Sequence, residues 1–384
     1  MTASSVTIVP VSTAEQRREF AKFPWRIYRN NSNWVPPIFG DRLKLLDPGK
    51  HPFWEHADQQ LFLARRGQET VGTISAHINH RHNEVYQDKV GFFGFFEVLQ
   101  DEAAATALLD TAADWLRGRG MEAIRGPENP SQNEEVGLLT DAFDKPPVIM
   151  MTYNPPYYLD LVEGAGFDKA QDLYAWILRT SIFDYDVQRL PRKFLRVAEQ
   201  CQNRGDVVIR RIDMKHFDHE VELAKVIYNK AWEQNWGFVP MTDHEIEHLG
   251  DELKLIIDPD LVYLAEVDGK PVGISLGIPD VNQALIKAHP RPNTWSLPLL
   301  LARFLWHRRQ IDTFRLMIMG VIPEYRTLGI DAAFYVETAR SAFGKGYEWC
   351  EMSWILETND MMNRIIERLG GEIYKTYRVY EKTL

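Results

Sequence analysis

Residues 61–75 read LFLARRGQETVGTIS, and residues 262–275 read VYLAEVDGKPVGIS. Each stretch holds Leu-Ala, then six residues, then Val-Gly: Leu63-Ala64 with Val71-Gly72, and Leu264-Ala265 with Val272-Gly273. In both, an apolar run breaks at a polar turn carrying glycine and then resumes. The turns are Arg66-Gly67-Gln68 and Asp268-Gly269-Lys270. Two strands joined by a tight hairpin turn give this pattern.

The similarity extends downstream of each hairpin, as long-range internal repeats do. In the first half, Val90–Val98 (VGFFGFFEV) is an apolar run that reads as a buried strand. Ala105, Leu108, Leu109, Ala112, Trp115 and Leu116 then fall on one helical face. Gly118 and Gly120 end that helix, and a strand at 121–125 follows. In the second half, 314–322 is the strand and 330–343 the helix, with Ala333, Tyr335, Val336, Ala339 and Phe343 as its apolar stripe. The next strand is 347–354. Each half closes with a short helix, a glycine and a last strand: 157–163, Gly166 and 172–179, then 360–368, Gly370 and 372–381. Insertions at 127–148 and 282–312 interrupt the match. The expected organisation is α/β (α+β), a duplicated domain divided into 1-185 and 186-384, with the boundary within 181–191.

Composition limits the function. The 384 residues carry 44 Lys plus Arg against 54 Asp plus Glu, a net charge of −10, and are 45% hydrophobic. That is globular composition with room for two cores. The acidic balance argues against nucleic acid as the main partner, which wants a basic surface. Cys201 and Cys350 are the only cysteines, too few for a disulfide framework or a multi-thiolate zinc site. The start, MTASSVTIVP, lacks the charged and apolar regions of a signal peptide. The most apolar window, 297–306, is short and contains Arg303, so no transmembrane segment is expected. The expected location is cytoplasmic.

The stretch that carries chemistry runs from Val321 to Asp331 (VIPEYRTLGID), between the strand and the helix of the second half. A helix N-terminus exposes unpaired N–H groups and a partial positive charge. Gly329 lets the backbone approach an anion closely, and Arg326 adds a fixed positive charge. Asp331 adds an opposing one. A pyrophosphate is the natural ligand.

The hairpin, strand, helix, strand, helix, strand order and this loop resemble the GNAT superfamily of acyl-CoA N-acyltransferases, present twice in tandem over nearly the whole chain. GNAT proteins carry an Arg/Gln-x-x-Gly-x-Gly/Ala loop here. Arg326 and Gly329 match it, and Asp331 stands where Gly or Ala is usual. The resemblance implies two GNAT-like domains, each a mixed twisted sheet with flanking helices. It implies coenzyme A or acyl-CoA as cosubstrate, an amine acceptor, and CoA contacts from Arg326, Thr327, Leu328, Gly329, Ile330 and Asp331. A backbone N–H at Gly320 or Val321, where the glycine is expected to mark a bulge, would meet the thioester oxygen, and Asn359 would contact the pantetheine or phosphate part. The first half has Leu99-Gln100-Asp101-Glu102 in place of the loop, with no glycine and two acids, so it reads as a domain without a CoA site.

The family's usual acid, a tyrosine four residues before the last glycine, is Ile366 here, and Val162 in the first half. Tyr374, Tyr377 and Tyr380 lie nearby, with Tyr377 as the candidate substitute and ordinary strand aromatics as the alternative reading. Glu357, at the exit of the strand 347–354, is the candidate base, ahead of Glu351; capping of the next helix is its structural alternative. No metal is expected, although His80 and His82 of the 77–82 cluster would share a strand face. The long polar loop 126–139 is a candidate lid or substrate-recognition element, with a surface connection as the alternative, and the aromatic segments 30–39 and 232–240 are candidate cleft walls. The segment 297–306 with His307-Arg308-Arg309 reads as an amphipathic helix for an acyl channel, a partner or a membrane surface, or simply for packing on the sheet. Three functions stay open: an acyl-CoA-dependent N-acyltransferase of a small-molecule amine, a catalytically silent binding or sensor protein, and a Fem-like aminoacyl-tRNA-dependent transferase. The oligomeric state is also open.

Overall fold

The structure is a computed structural model and describes residues 5–384. Residues 1–4, part of the segment read above for a leader, lie outside the described residues. β1 (Val6–Pro10), α1 (Ala14–Lys22), α2 (Pro24–Ile27) and α3 (Phe39–Leu45) precede the first hairpin, β2 (Ala57–Arg66) and β3 (Glu69–Asn79). Then come α4 (His80–Tyr86), β4 (Val90–Val98), α5 (Glu102–Arg117), β5 (Ala123–Gly126), β6 (Leu138–Leu139), α6 (Tyr157–Gly164) and β7 (Asp168–Arg179). The second half runs α7 (Arg192–Gln202), β8 (Val207–Arg211), α8 (Phe217–Ala231), α9 (Asp243–Lys254), β9 (Val262–Val267) and β10 (Lys270–Pro279). It continues with α10 (Asn282–Ala288), α11 (Leu297–His307), β11 (Thr313–Val321), α12 (Ile330–Lys345), β12 (Trp349–Leu356), α13 (Asp360–Arg368) and β13 (Glu372–Thr383).

The repeat is real at the level of strand pairing. β1, β2, β3 and β4 pair antiparallel, and β4 pairs parallel with β5. β8, β9, β10 and β11 likewise pair antiparallel, and β11 pairs parallel with β12. The matched Val-Gly pairs have a common task. A Cβ on Gly72 would lie 2.7 Å from Leu108 of α5, and one on Gly273 would lie 3.1 Å from Phe334 of α12. Each glycine therefore lets the following helix press onto its sheet. Those helices supply the two cores, with Leu108, Leu109 and Leu116 in one and Ala333, Phe334 and Val336 in the other.

The chain divides into two compact units whose limits differ from 1-185 and 186-384. One comprises Met1–Leu173, Asn282–Arg309 and Lys375–Leu384, the other Tyr174–Val281 and Gln310–Tyr374. The closing strands explain the difference. The far end of β13 pairs with first-unit strands, Tyr377 opposite Leu139 and Tyr380 opposite Gly126. The end of β7 belongs with the second unit. Trp176 donates to Asn363 Oδ1 at 3.0 Å, and the Thr180 hydroxyl donates to the Tyr347 carbonyl at 2.6 Å. The two last strands carry equivalent alternation, so the sequence alone does not say which unit each completes.

The segment 77–82 is not a strand to its end. Asn79 caps α4, accepting from the His82 N–H, so His80 and His82 sit on a helix. His80 pairs with Asp58, while burial holds His77 down to about 3 and His82 down to about 4. Among the described residues no group of three or more His, Cys, Asp or Glu could hold a metal ion. No described helix is long and apolar enough to cross a membrane.

Candidate active site

The second unit holds a cleft between its two parallel strands. β11 and β12 pair only from Thr313 opposite Trp349 to Leu316 opposite Met352. β11 carries a bulge there: Leu276 faces Ile318 and Gly277 faces Leu316, which leaves Met317 as the extra residue. A bulge bends its strand and ends regular pairing. Beyond it lies a narrow cavity of about 100 Å³. Its walls are rich in thioethers, with Met317 and Met319 from β11, Met352 from β12 and Met362 from α13. Trp232 and Asn235, from the aromatic segment expected to wall a cleft, line it as well.

The expected bulge at Gly320 is therefore displaced to Met317. Gly320 pairs regularly with Ile274, and Val321 pairs with Gly273. Gly320 serves packing: a Cβ there would lie 2.3 Å from the Trp232 ring, so only glycine admits the indole. Trp232 in turn stacks near Tyr228, with ring centroids 4.9 Å apart.

The loop after β11 forms a short 3-10 turn, Pro323–Leu328, and Gly329 then starts α12 at φ 77°. Val197 of α7 would be 2.6 Å from a Cβ at Gly329, so the position excludes side chains on two counts. No side chain caps α12. Arg326 ties the loop down, donating from Nε to the Val321 carbonyl at 3.1 Å and from Nη2 to the Ala231 carbonyl at 2.9 Å. The residue is otherwise exposed, as is Thr327, whereas Leu328 and Ile330 pack into the core. Asp331 lies half-buried in the first turn of α12.

The other sequence candidates separate. Asn359 lines the cleft and caps α13, accepting from the Met362 N–H at 3.2 Å. The cap expected as Glu357's alternative is thus Asn359. Glu357 lies half-buried in the turn just before it and is not among the lining residues. Glu351 is buried beside Arg315, 3.6 Å away. Tyr377 is fully buried in the first unit, opposite Leu139. Ile366, where the family's acid would stand, lines the cleft, and so does Tyr335 of α12.

Tyr335 is the residue that sequence reading passed over, counted there as one member of an apolar stripe. Its side chain is 8% exposed, its ring packs edge-on to Phe194, and its hydroxyl has no hydrogen-bond partner. Burial pushes its pKa well above that of an ordinary tyrosine, so it keeps its proton. The available signal was a lone hydroxyl on an apolar helix face, about a turn beyond the anion loop.

The first unit closes the equivalent places with its own chain. Asp101 caps α5, accepting from the Ala104 N–H at 3.1 Å, and pairs with Arg66 through two bonds of 2.7 and 2.9 Å. A protein carboxylate thus stands at this helix start. Past β5, the segment 126–139 returns against β4: Glu128 N–H donates to Phe93 O at 2.9 Å, and Phe95 N–H donates to Asn129 Oδ1 at 2.5 Å. A Cβ on Gly94 would lie 1.7 Å from the Glu128 carbonyl oxygen. The loop expected as a lid is therefore a plug. A separate pocket of about 250 Å³ in this unit is lined by Trp34, Arg42, Glu97 and Tyr153, among others. Glu97 accepts from Tyr28 and Tyr158 at 3.0 and 2.8 Å, and burial pushes its carboxyl up to about 7.

Comparison with known proteins places this geometry. No family model matches the chain. A Caulobacter vibrioides protein described as bacterial ceramide synthase is 37% identical over 393 residues, covering 100% of this chain and 99% of its own. Protein YghO of Escherichia coli K12 is 35% identical, covering 96% of this chain and 93% of its own. Among solved structures, a tandem GNAT protein from the clavulanic acid biosynthesis pathway aligns over 99% of this chain and 98% of its own, with a TM-score of 0.56 at 9% identity. A GCN5-related N-acetyltransferase from Sphaerobacter thermophilus aligns over 98% and 95%, with a TM-score of 0.51 at 13% identity. The chain has the tandem GNAT fold and belongs to the family of the Caulobacter ceramide synthase and YghO.

Proposed function

We propose that the protein is an acyl-CoA-dependent N-acyltransferase that joins a fatty acyl group to the amino group of a long-chain sphingoid-type base. The observation that carries the acceptor class is full-length identity of 37% to a protein described as a bacterial ceramide synthase. The site supports the donor. The uncapped start of α12, with Gly329 and Arg326, suits a pyrophosphate, and the methionine-walled cleft suits a thioester and its acyl chain. The first unit supports no second donor site, because Asp101 and the 126–139 plug fill the corresponding places.

In the transfer, the amine nitrogen bonds to the thioester carbonyl carbon and the carbon–sulfur bond breaks. The proton lost by nitrogen balances the thiol that leaves. We assign Tyr335 to the sulfur. Its free O–H donates a hydrogen bond that stabilises the leaving thiolate while retaining its own proton, and the thiolate then takes up a proton from solvent, matching the one the amine releases. Glu357, at the exit of β12, remains the candidate to take the amine's proton.

The test is a reaction of palmitoyl-CoA with sphinganine, followed by free-thiol release and by mass spectrometry of the lipid product. One thiol released per N-acyl product is expected. Thioester binding without amide formation with any long-chain base would favour the silent binding protein and overturn the enzyme.

A further inference from the structure

The segment Asn282–Arg309 stands apart from the rest of the chain in charge and exposure. It contains Lys287, Arg291, Arg303, Arg308 and Arg309 and no Asp or Glu, in a protein whose net charge is −10. Within it α11 has a narrow inner face. Leu300 is buried, Phe304 and His307 are half-buried, and the helix packs on α10. Its outer face is apolar and open. Leu299, Leu301 and Leu305 are about half exposed, Trp306 is 72% exposed, and Trp295 just ahead of the helix is 77% exposed. Arg303 and Arg308 flank that face at helical spacing.

Contiguous exposed leucine and tryptophan on one element mark an interaction surface. The composition identifies which one. Tryptophans at both ends of a leucine-rich helix, with arginines on its flanks, suit the boundary between lipid headgroups and acyl chains, where indoles settle and arginine stems reach back to phosphate. At eleven residues the helix is far too short to span a bilayer, and no described helix does so. A second copy of this surface would bring five like charges against five, with no acid in the segment to pair them.

We propose that Asn282–Arg309 docks the protein on an anionic phospholipid bilayer, with α11 lying in the plane of the interface and its leucines and tryptophans inserted. This inference stands on the exposed surface alone and does not need the activity proposed above. A membrane-resident long-chain acceptor would nevertheless be met at such a surface.

Vesicle flotation of the full chain tests it. Vesicles of phosphatidylcholine with about 30% phosphatidylglycerol should carry the protein at least tenfold better than pure phosphatidylcholine, and added salt should weaken the binding. The exposed double variant Leu301→Glu with Leu305→Glu should lose at least tenfold in partitioning, and Arg308→Glu with Arg309→Glu should lose the anionic preference. Both should keep the wild-type melting curve. Wild type that stays unbound with anionic vesicles would overturn the proposal, as would leucine variants that bind like wild type. A dimer in sedimentation that the leucine variants dissolve, without vesicle binding, would assign the face to a second copy instead.

Discussion

Replacing Tyr335 by phenylalanine should make the protein more stable and less active at once. The ring stays in place against Phe194, with centroids 5.9 Å apart, and only the hydroxyl is lost. That hydroxyl is buried without a partner. Leaving such a group unsatisfied costs roughly 1–3 kcal/mol, so Tyr335→Phe should recover about 1–2 kcal/mol in the ligand-free protein. For a unit of this size that is about 2–8 °C in melting temperature. In the transfer the same hydroxyl would face sulfur as charge builds on it. A hydrogen bond to a charged group is worth about 1.5–3 kcal/mol, which converts to a fall of roughly 10- to 100-fold in kcat. KM for acyl-CoA should change little, because one bond at the sulfur adds little to ground-state binding. Paired thermal melts and steady-state thiol release read both effects. A lower melting temperature would show that the hydroxyl has a partner. A higher one with unchanged kcat would remove Tyr335 from the reaction.

Other perturbations test the surrounding framework. Gly320→Ala drives a methyl into the Trp232 ring and should cost about 1–3 kcal/mol, read as a lower melting temperature together with weaker acyl-CoA binding. Asp101→Ala removes the α5 cap and should cost about 1 kcal/mol while leaving acyl-CoA affinity unchanged; altered affinity would put a donor site in the first unit. Glu97 supplies a pH test. Its folded carboxyl holds a proton up to about 7, whereas the unfolded chain releases it near 4.5, so stability falls as pH rises through that window. The loss is at most about 3 kcal/mol and is complete above 7. Glu97→Gln should therefore melt above wild type at pH 8 and level with it near pH 4, and a gap independent of pH would contradict the burial argument.

Much of the fold was legible because hydrophobic period and glycine placement survive duplication. The two hairpins, the strand Val90–Val98 and the helix Asp360–Arg368 fall where the pattern puts them. What was not legible depends on long-range partners. The far end of β13 pairs with β5 and β6, yet its alternation suits either unit. The cluster 77–82 alternates like a strand, but Asn79 caps a helix inside it. Gly329, read from the sequence as a place where backbone approaches an anion, starts α12 in the left-handed region, and Asn359, read by resemblance as a CoA contact, caps α13. Gly320 read as a bulge because a glycine in a strand has two explanations, and a tryptophan 88 residues earlier in sequence decided for packing. Tyr335 was hidden because a hydroxyl without a partner is visible only once its neighbours are in place.

We propose that the second unit, and not the first, takes the acyl-CoA. Hydrogen exchange on the full chain, with and without palmitoyl-CoA, decides this. New protection is expected over residues 317–332 and 353–366, around the bulge, the Gly329 loop and the cleft, with none over 99–105. Protection over 99–105 alone, or none anywhere at saturating acyl-CoA, would contradict it.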